Sequence, residues 1–305
     1  MIGMLELNMS FKFKLAVMAW GLTAALVTGA VSAAVSVQDD LGVTVTLAKP
    51  AARIISLAPH ATEDLFAIGA GDLIVGAVSY SDYPAKAKEI ERIGGYNGFD
   101  LERIRALKPD LIIAWGSGNP QRQLEQIKQL GIPVFTTFSK QMADIPTVLE
   151  RLGVLTQQTA GAAKAAKHYR EQLARLEKTY SGRAPVRVFY QIWDRPLMTI
   201  NNTQIISDVM RLCGAVNVFG HLPELTPKVD VEAVLVANPD AIMTSGEPGM
   251  KGDALASWQR WKNLKASKNN QFYVLPKDII SRMGPRLVDG AQAMCEAVEQ
   301  VRQVK

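Results

Sequence analysis

The sequence has few of the residues from which common metal and catalytic sites are built. It contains two cysteines, Cys213 and Cys295, and three histidines, and none of them has a second ligand at a zinc-binding spacing. It also lacks a G-x-S-x-G elbow and a glycine-rich phosphate loop. We therefore favour a protein that binds its ligand without transforming it, with neither a resident metal nor a cofactor. An exported α/β enzyme is the alternative from another class.

The charge balance is nearly even, and apolar runs are short. Lys and Arg number 34 and Asp and Glu number 29, which gives a formal net charge of +5. Proteins that bind nucleic acid concentrate Lys and Arg with interleaved aromatic residues, and this sequence has no such cluster. After the N-terminal region, no stretch approaches the roughly 20 apolar residues that a membrane-spanning helix needs. We expect no nucleic-acid partner and a soluble mature chain.

The N-terminal region has the three parts of a secretory signal peptide. Lys12 and Lys14 precede an apolar stretch over residues 15–28, and small residues follow at 31–33. This order of charged, apolar and small segments is typical of a cleaved export signal. No cysteine follows the cleavage region, which disfavours a lipid-anchored lipoprotein. The prediction is a signal peptide over residues 1–33 and a mature protein in the periplasm.

One sequence pattern occurs twice. Residues 99–116 read FDLERIRALKPDLIIAWG, and residues 229–246 read VDVEAVLVANPDAIMTSG. Each copy is typical of a capped helix, a Pro-Asp stop and a buried strand, with these shared positions: Asp100/Asp230, Glu102/Glu232, Pro109/Pro239, Asp110/Asp240, Ile112/Ile242 and Gly116/Gly246. A weaker similarity relates residues 64–76 to residues 208–220. The duplication predicts two similar lobes, and two lobes imply a cleft.

Short apolar strands alternate with amphipathic helices in both halves, which predicts mostly parallel sheets covered on both faces. Residues 157–180 are rich in strong helix formers and predict one long helix between the halves. The expected fold is α/β, with two similar α/β lobes joined by one long interlobe α-helix. A shorter helix is predicted around Trp258 to Leu264. The expected boundaries are 52–155 for the N-terminal lobe, 156–181 for the interlobe helix and 185–305 for the C-terminal lobe.

Both cysteines fall in helix-like runs of the second half. Cysteines in an oxidising compartment usually pair, and a bridge that closes so long a loop stabilises by roughly 4–5 kcal/mol on the chain-entropy model. We predict a disulfide between Cys213 and Cys295. Two buried free thiols are the alternative.

Aromatic residues follow several predicted strands. Open α/β sheets bind ligands outside the carboxyl ends of their strands, and large flat rings suit a bulky, partly apolar ligand. Asp278 and Arg282 follow a late strand and would add polar contacts, for which ordinary loop solvation is an equal alternative. Tyr83 precedes Pro84, so bracing of its loop is an alternative role for that ring. The predicted ligand-binding aromatic residues are Tyr80, Tyr83, Tyr96, Trp115 and Trp193.

Several segments resemble the periplasmic cobalamin-binding proteins of vitamin B12 ABC importers. Four of them begin at positions 53, 80, 101 and 282 and read RIISLAPHATEDLFAIG, YSDYP, LERIRALKPDLIIAW and RMGPR. The resemblance covers essentially the whole mature chain. It implies two α/β lobes joined by one long helix, a corrinoid held between them, and no catalysis. Cobalamin, or a related corrinoid, would be transported cargo.

The resemblance also implies roles for individual residues. It places Tyr80, Tyr96 and Trp115 at contacts with the corrin ring and residues 278–282 on the binding loop of the second lobe. The second lobe departs from the family pattern, because other residues stand where aromatic ones are expected: Ile192 beside Trp193, Thr226, Ile279 and Ile280. A carrier of the same fold for haem or a ferric siderophore therefore stays an alternative. Haem would need an axial ligand such as Tyr80, Tyr83 or Tyr96.

The resemblance gives the repeat a meaning. In the family, a Glu on each lobe docks into arginines of the membrane permease, and the matching residues are Glu102 and Glu232. A carrier with two equivalent lobes that meets a channel with two equivalent subunits needs one such carboxylate per lobe. Alternatively, each Glu only stabilises the N-terminus of its helix; Asp100 and Asp230 are assigned to helix capping. We expect a monomer that delivers its cargo to permease subunits.

Overall fold

The computed structural model of the chain describes residues 33–95, 98–247 and 255–304. The predicted signal peptide over residues 1–33 lies outside these ranges, apart from Ala33. Within the described ranges, no helix is both long enough and apolar enough to cross a membrane.

The strands are short, and helices separate most of them. The strands are β1 Val35–Gln38, β2 Thr44–Leu47, β3 Ile54–Ser56, β4 Ile74–Ala77, β5 Gly94–Gly95, β6 Gly98–Phe99, β7 Leu111–Trp115, β8 Val134–Thr137, β9 Val186–Gln191, β10 Trp193–Asp194, β11 Leu197–Met198, β12 Ala215–Asn217, β13 Ala241–Gly246 and β14 Phe272–Pro276. The helices are α1 Pro59–Ala67, α2 Leu101–Ala106, α3 Gln121–Gln129, α4 Ile145–Thr156, α5 Thr159–Tyr180, α6 Ile205–Leu212, α7 Val231–Ala237, α8 Lys265–Lys268, α9 Lys277–Ile280 and α10 Leu287–Val304.

Eight of the fourteen described strands form two equivalent four-stranded sheets, and the other six form three two-stranded ones. The N-terminal sheet has the order β4-β3-β7-β8, and the C-terminal sheet has the order β12-β9-β13-β14. All neighbours in both sheets are parallel. The strands of the repeated pattern, β7 and β13, occupy the same position in their sheets. The predicted α/β fold with two similar lobes is confirmed.

Equivalent side chains connect the repeated helix to the first strand in each lobe. In the N-terminal lobe, Asp110 accepts hydrogen bonds from the backbone N–H groups of Ala52 and Arg53 at 2.9 and 3.0 Å. The Arg53 guanidinium donates to the carbonyl at the end of α2 at 2.6 Å. In the C-terminal lobe, Asp240 accepts from the Arg187 N–H at 2.9 Å, and Arg187 donates to the carbonyl at the end of α7 at 2.9 Å. The Asp of the Pro-Asp pair therefore takes part in the same connection between helix and strand in both lobes.

Helix α5 joins the lobes and is the predicted long helix. It has 22 residues, so it is about 33 Å long at 1.5 Å per residue. It packs against α4 of the N-terminal lobe and against α6 and α10 of the C-terminal lobe. Its buried side chains recur every three or four positions and form one stripe: Ala162, Ala166, Tyr169, Leu173, Leu176 and Tyr180.

The structure differs from the sequence predictions in two segments. A hairpin of β1 and β2 precedes the predicted start of the N-terminal lobe, and Asp39 and Asp40 attach it by accepting from the N–H groups of Thr136 and Phe138. The predicted helix around Trp258 to Leu264 is wrong. A single 3-10 turn ends at Trp258, and α8 begins only after Leu264, because Trp258 and Leu264 are both core residues of a short connection.

The cysteine prediction is confirmed. Cys213 ends α6 and forms a disulfide with Cys295 in α10, across a sequence separation of 82. Both residues are completely buried in the C-terminal lobe. The bridge joins two helices that also pack against each other.

Candidate functional site

A cavity of about 300 Å³ lies between the lobes, at the carboxyl ends of β7, β8, β9 and β13. This is the position at which parallel α/β sheets bind ligands. We call it the interlobe cavity. Its lining residues from the N-terminal lobe are Trp115, Ser117, Phe138 and Ser139. Those from the C-terminal lobe are Tyr190, Ile192, Thr203, Gln204, Ile205, Ile206, Leu225, Thr226, Ser245, Ser281 and Met283.

Trp115 is held in the cavity wall by the loop that follows β7. Its backbone N–H donates to the Asn119 side chain at 2.7 Å, and Asn119 donates in turn to the Leu57 carbonyl at 2.9 Å. Gly118 lies against the indole ring so closely that a Cβ at this position would overlap it. The indole N–H is buried and has no hydrogen-bond partner among the described residues. The sequence Trp-Gly-Ser-Gly-Asn therefore fixes the ring while its polar atom stays unpaired.

His60 packs against the Trp115 ring. The two rings meet edge to face, with centroids 5.7 Å apart. The Thr137 hydroxyl donates to the Ala114 carbonyl, so it accepts from His60 Nε2 at 3.0 Å. Burial, with a smaller effect of the Arg282 charge, lowers the pKa of His60 to about 4. His60 is therefore neutral at physiological pH and serves packing.

An ion cluster joins the lobes beside the cavity. Glu63 of α1 accepts from Arg282 at 2.8 Å and from Arg286 at 2.6 Å. Arg282 also donates to Asp82 and Asp278, each at 2.9 Å. Burial disfavours the charged guanidinium, but the hydrogen bonds to Glu63 and Asp82 more than offset it and raise the pKa of Arg282. We call these five residues the interlobe ion cluster.

The structure places the predicted ligand-binding residues in different surroundings. Trp115 lines the interlobe cavity. Tyr80 is 68% exposed, and Tyr83 lies beneath Arg286, whose guanidinium carbon is 3.8 Å from the ring centroid. Asp278 and Arg282 belong to the interlobe ion cluster and are not cavity-lining residues. Tyr96 lies outside the described residues, and the ligand contacts of all these residues stay predictions.

Trp193 lines a second cavity of about 470 Å³ in the C-terminal lobe. The ring is 61% exposed, and its indole N–H donates to the Arg195 carbonyl at 3.0 Å. Both cavities include Ile192 and Ser245 in their walls, so they lie side by side at the ends of β9 and β13.

Sequence reasoning missed most of the C-terminal wall of the interlobe cavity. Tyr190 was overlooked because it lies within the apolar strand β9, where a ring usually belongs to the core. Gln204 and Thr203 come from the loop before α6, which no aromatic residue marks. Glu63 was also missed, because its arginine partners lie 219 and 223 positions further along the chain. The polar loop before α6 was the feature of the sequence that could have indicated this wall of the cavity.

Glu102 and Glu232 occupy matching positions in the first turns of α2 and α7. Both are exposed, and neither forms an ion pair or side-chain hydrogen bond within the described residues. The preceding residues cap the helices: Asp100 accepts from the Arg103 N–H at 2.9 Å, and Asp230 accepts from the Ala233 N–H at 2.7 Å. Each lobe therefore presents one free carboxylate on an equivalent helix.

No group of three or more His, Cys, Asp or Glu side chains suited to a metal ion occurs within residues 33–95, 98–247 and 255–304. The carboxylates of the interlobe ion cluster, Glu63, Asp82 and Asp278, are bound to arginines. The site as described offers ring and hydroxyl surfaces to a ligand.

Comparisons with known proteins show which family the sequence resembles. Residues 54–279 match the family model described as periplasmic binding protein. The vitamin B12-binding protein of Vibrio parahaemolyticus is 38% identical over 255 residues, which cover 83% of this chain and 92% of that protein. The vitamin B12-binding protein of Pectobacterium carotovorum is 39% identical over 245 residues, which cover 80% of this chain and 87% of that protein.

Solved structures give the same result. The periplasmic vitamin B12 binding protein BtuF of Vibrio cholerae has a TM-score of 0.78 and 38% identity, covering 83% of this chain and 99% of that one. The periplasmic heme-binding protein RhuT of Roseiflexus has a TM-score of 0.72 at 19% identity over 82% of this chain and 98% of that one, a likeness of fold alone. The two-lobed fold, the family match and the identity along most of both chains agree, and the chain belongs to the periplasmic binding protein family.

Proposed function

We propose that this protein captures cobalamin between its lobes and delivers it to the permease of an ABC importer. The observation that carries the proposal is the interlobe cavity with Trp115 in its wall, in a chain that is 38% identical to a vitamin B12-binding protein over 83% of its length. Cobalamin is cargo in this proposal, and the protein performs no chemistry on it.

The two adjacent cavities support a bulky ligand. Their volumes of about 300 and 470 Å³ each fall within the usual size of a small-molecule site, and Ile192 and Ser245 line both of them. Rings, aliphatic side chains and hydroxyl groups line the interlobe cavity, and the second cavity adds the charged side chains of Asp194, Arg195 and Arg260. This mixture fits a large macrocycle that is apolar on its faces and polar around its edge.

The chemistry of the cavity favours a corrinoid over haem. A haem carrier commonly needs an axial ligand from the protein, and the one phenol in the described lining of the interlobe cavity belongs to Tyr190. Burial raises the pKa of Tyr190 well above its usual value. A phenol that resists ionisation is a poor source of the tyrosinate that ferric iron would bind.

Delivery to the membrane would use the two free carboxylates. Glu102 and Glu232 are exposed, unpaired within the described residues and related by the internal repeat. We assign them to docking on two equivalent permease subunits, since charge complementarity fixes orientation and speeds encounter. The protein would act as a monomer in the periplasm after removal of residues 1–33.

Titration with cyanocobalamin tests the proposal. We expect a one-to-one complex by calorimetry, with a change in corrin absorbance, and W115A is expected to weaken it by at least about tenfold because a central ring is lost. W115F keeps a ring and should lose less. Haemin is the competitor that distinguishes the alternative. No heat and no spectral change with cyanocobalamin at micromolar protein would contradict the proposal.

A further inference from the structure

The described wall of the interlobe cavity contains no charged side chain. None of its fifteen lining residues is Lys, Arg, His, Asp or Glu. Half of them carry neutral polar groups, which are supplied by Ser117, Ser139, Tyr190, Thr203, Gln204, Thr226, Ser245 and Ser281. The wall can therefore form hydrogen bonds but cannot neutralise a charge.

Three of these polar residues come from the ends of β9, β13 and α9. Tyr190 is 0% exposed, and its hydroxyl has no hydrogen-bond partner of ordinary geometry among the described residues. An interaction with Ser245 opposes the rise that burial causes in the pKa of Tyr190. Ser281 donates to Ser245 at 3.3 Å. We call Tyr190, Ser245 and Ser281 the hydroxyl corner.

Gln204 adds a free donor on the same side of the cavity. Its side-chain oxygen accepts from the Ile206 N–H at 2.6 Å and caps α6. Its amide NH₂ group has no hydrogen-bond acceptor within the described residues. Thr203 already donates to Asn201 at 2.8 Å, so its hydroxyl oxygen stays available as an acceptor. Donors and acceptors are thus mixed along one wall.

The two arginines of the interlobe ion cluster are not available to a ligand, and the arginines that line the second cavity, Arg195 and Arg260, lie outside the described wall of the interlobe cavity. Arg282 lies between the lining residues Ser281 and Met283, but it binds Glu63, Asp82 and Asp278. Arg286 binds Glu63 as well. The interlobe ion cluster has three carboxylates for two guanidinium groups, so it repels an additional anion.

We infer that the hydroxyl corner and Gln204 select a macrocycle whose edge carries neutral carboxamides and reject the same macrocycle with carboxylates. A carboxamide offers both an acceptor and a donor, which matches a mixed neutral wall. A carboxylate buried here would lose its hydration without gaining a counter-charge. The inference rests on the proposed corrinoid function and adds its selectivity.

A matched ligand pair tests the selectivity. Dicyanocobinamide carries side-chain amides, and dicyanocobyrinic acid is the same cobalt corrin with carboxylates in their place. We expect dicyanocobyrinic acid to bind at least roughly 100-fold more weakly at neutral pH, since several uncompensated charges would be desolvated. Equal affinity for the two would overturn the inference and leave corrinoid binding intact. Failure of both ligands and of cyanocobalamin would overturn the proposed function as well.

Y190F tests the hydroxyl corner, and Y169F is its matched control. Both tyrosines are buried with unpaired hydroxyl groups, but Tyr169 is on α5 and does not line the interlobe cavity. Y190F should weaken the binding of dicyanocobinamide about three- to tenfold, which is the usual contribution of one hydrogen bond. Y169F should bind as the unchanged protein does. Unchanged affinity in Y190F, with an unchanged melting temperature, would remove Tyr190 from the inference.

Q204K places a cation in the same wall. It should strengthen the binding of dicyanocobyrinic acid by about tenfold or more and should not strengthen the binding of dicyanocobinamide. A gain for neither ligand would show that charge in this wall does not set the selectivity. This variant tests the inference even if Y190F does not fold.

Discussion

The two lobes use the same framework and differ in the residues attached to it. Both cap the repeated helix with an aspartate and tie its end to the first strand through an Asp and Arg pair. The weaker similarity pairs Asp64 with Asp208. Asp208 accepts from the Met142 N–H at 2.7 Å, whereas both Asp64 oxygens are buried without a hydrogen-bond partner among the described residues.

Two more differences separate the lobes. The disulfide belongs to the C-terminal lobe alone, since the chain has no other cysteine. The surroundings of the two free carboxylates also differ. The N-terminal helix carries Arg105 three positions after Glu102, and Arg103, which pairs with Glu91, whereas the C-terminal helix has Leu235 and Ala233 at the equivalent positions. Duplication thus preserved the backbone framework and left electrostatics and cross-links free to change.

The docking carboxylates should give the largest effect. E102A with E232A should lower cobalamin uptake at least about tenfold, because both charged contacts with the permease are lost, and should leave ligand affinity unchanged. Among the single variants, E232A should cost more, since no neighbouring arginine weakens the field of Glu232. Uptake into reconstituted vesicles measures this.

E89A is the control for the docking variants, because Glu89 is exposed in a different region of the N-terminal lobe. Its uptake should equal that of the unchanged protein. A normal uptake rate in the double variant would remove the docking assignment.

The disulfide should give the largest stability effect. C213A with C295A should lower the free energy of unfolding by roughly 4–5 kcal/mol on the chain-entropy model, because the bridge closes a long loop of the denatured chain. Urea unfolding measures the loss, and dithiothreitol treatment of the unchanged protein should reproduce it. If reduction changes nothing, the C-terminal lobe does not depend on its cross-link.

The unequal aspartates should respond in opposite directions. Burial, and then the Glu63 charge, raises the pKa of Asp64 well above its usual value, so the folded protein retains a proton that the unfolded chain releases above about pH 4. Asp64 therefore costs stability increasingly as pH rises. D64N should stabilise the protein by about 1 kcal/mol or more at pH 7, and this advantage should vanish below about pH 4.

D208A is the counterpart in the C-terminal lobe. It removes an acceptor of a backbone N–H across the lobes and should destabilise by about 1–2 kcal/mol. Urea unfolding at several pH values measures both variants. A D64N variant that is less stable than the unchanged protein at pH 7 would mean that Asp64 is ionised and paired.

The caps should give the smallest effect and should be equal. D100A and D230A should each lower the free energy of unfolding by about 1 kcal/mol, because each leaves one helical N–H without its acceptor. D100N and D230N keep a capping oxygen and serve as controls. Clearly unequal losses would show that the two repeated helices are not equivalent in stability.

The repeat allowed most of the fold to be predicted, because a capped helix, a Pro-Asp pair and an apolar strand are local features. The β1–β2 hairpin was missed although Val35, Val37, Val45 and Leu47 alternate with polar residues. That alternation, with Gly42 at the turn, was a usable signal. The helix predicted around Trp258 was wrong because its apolar residues pack in a connection without helical periodicity.

The site was less predictable from sequence. Trp115 was identified because a ring at the end of a strand is visible in a pattern. Tyr190, Ser245 and Ser281 were not identified, since a Tyr within an apolar strand and isolated Ser residues are common, and these three come together only when separate segments meet in the fold. The interlobe ion cluster joins residues about 220 positions apart, and nothing local in the sequence pairs them.

The interlobe ion cluster has a mechanical consequence. Glu63 is 3% exposed, and both of its guanidinium partners come from the opposite lobe. Moving the lobes apart on this side would strip a buried carboxylate of its two counter-charges at once, which is unfavourable until water reaches it. The interlobe ion cluster therefore opposes separation of the two lobes on this side of the molecule.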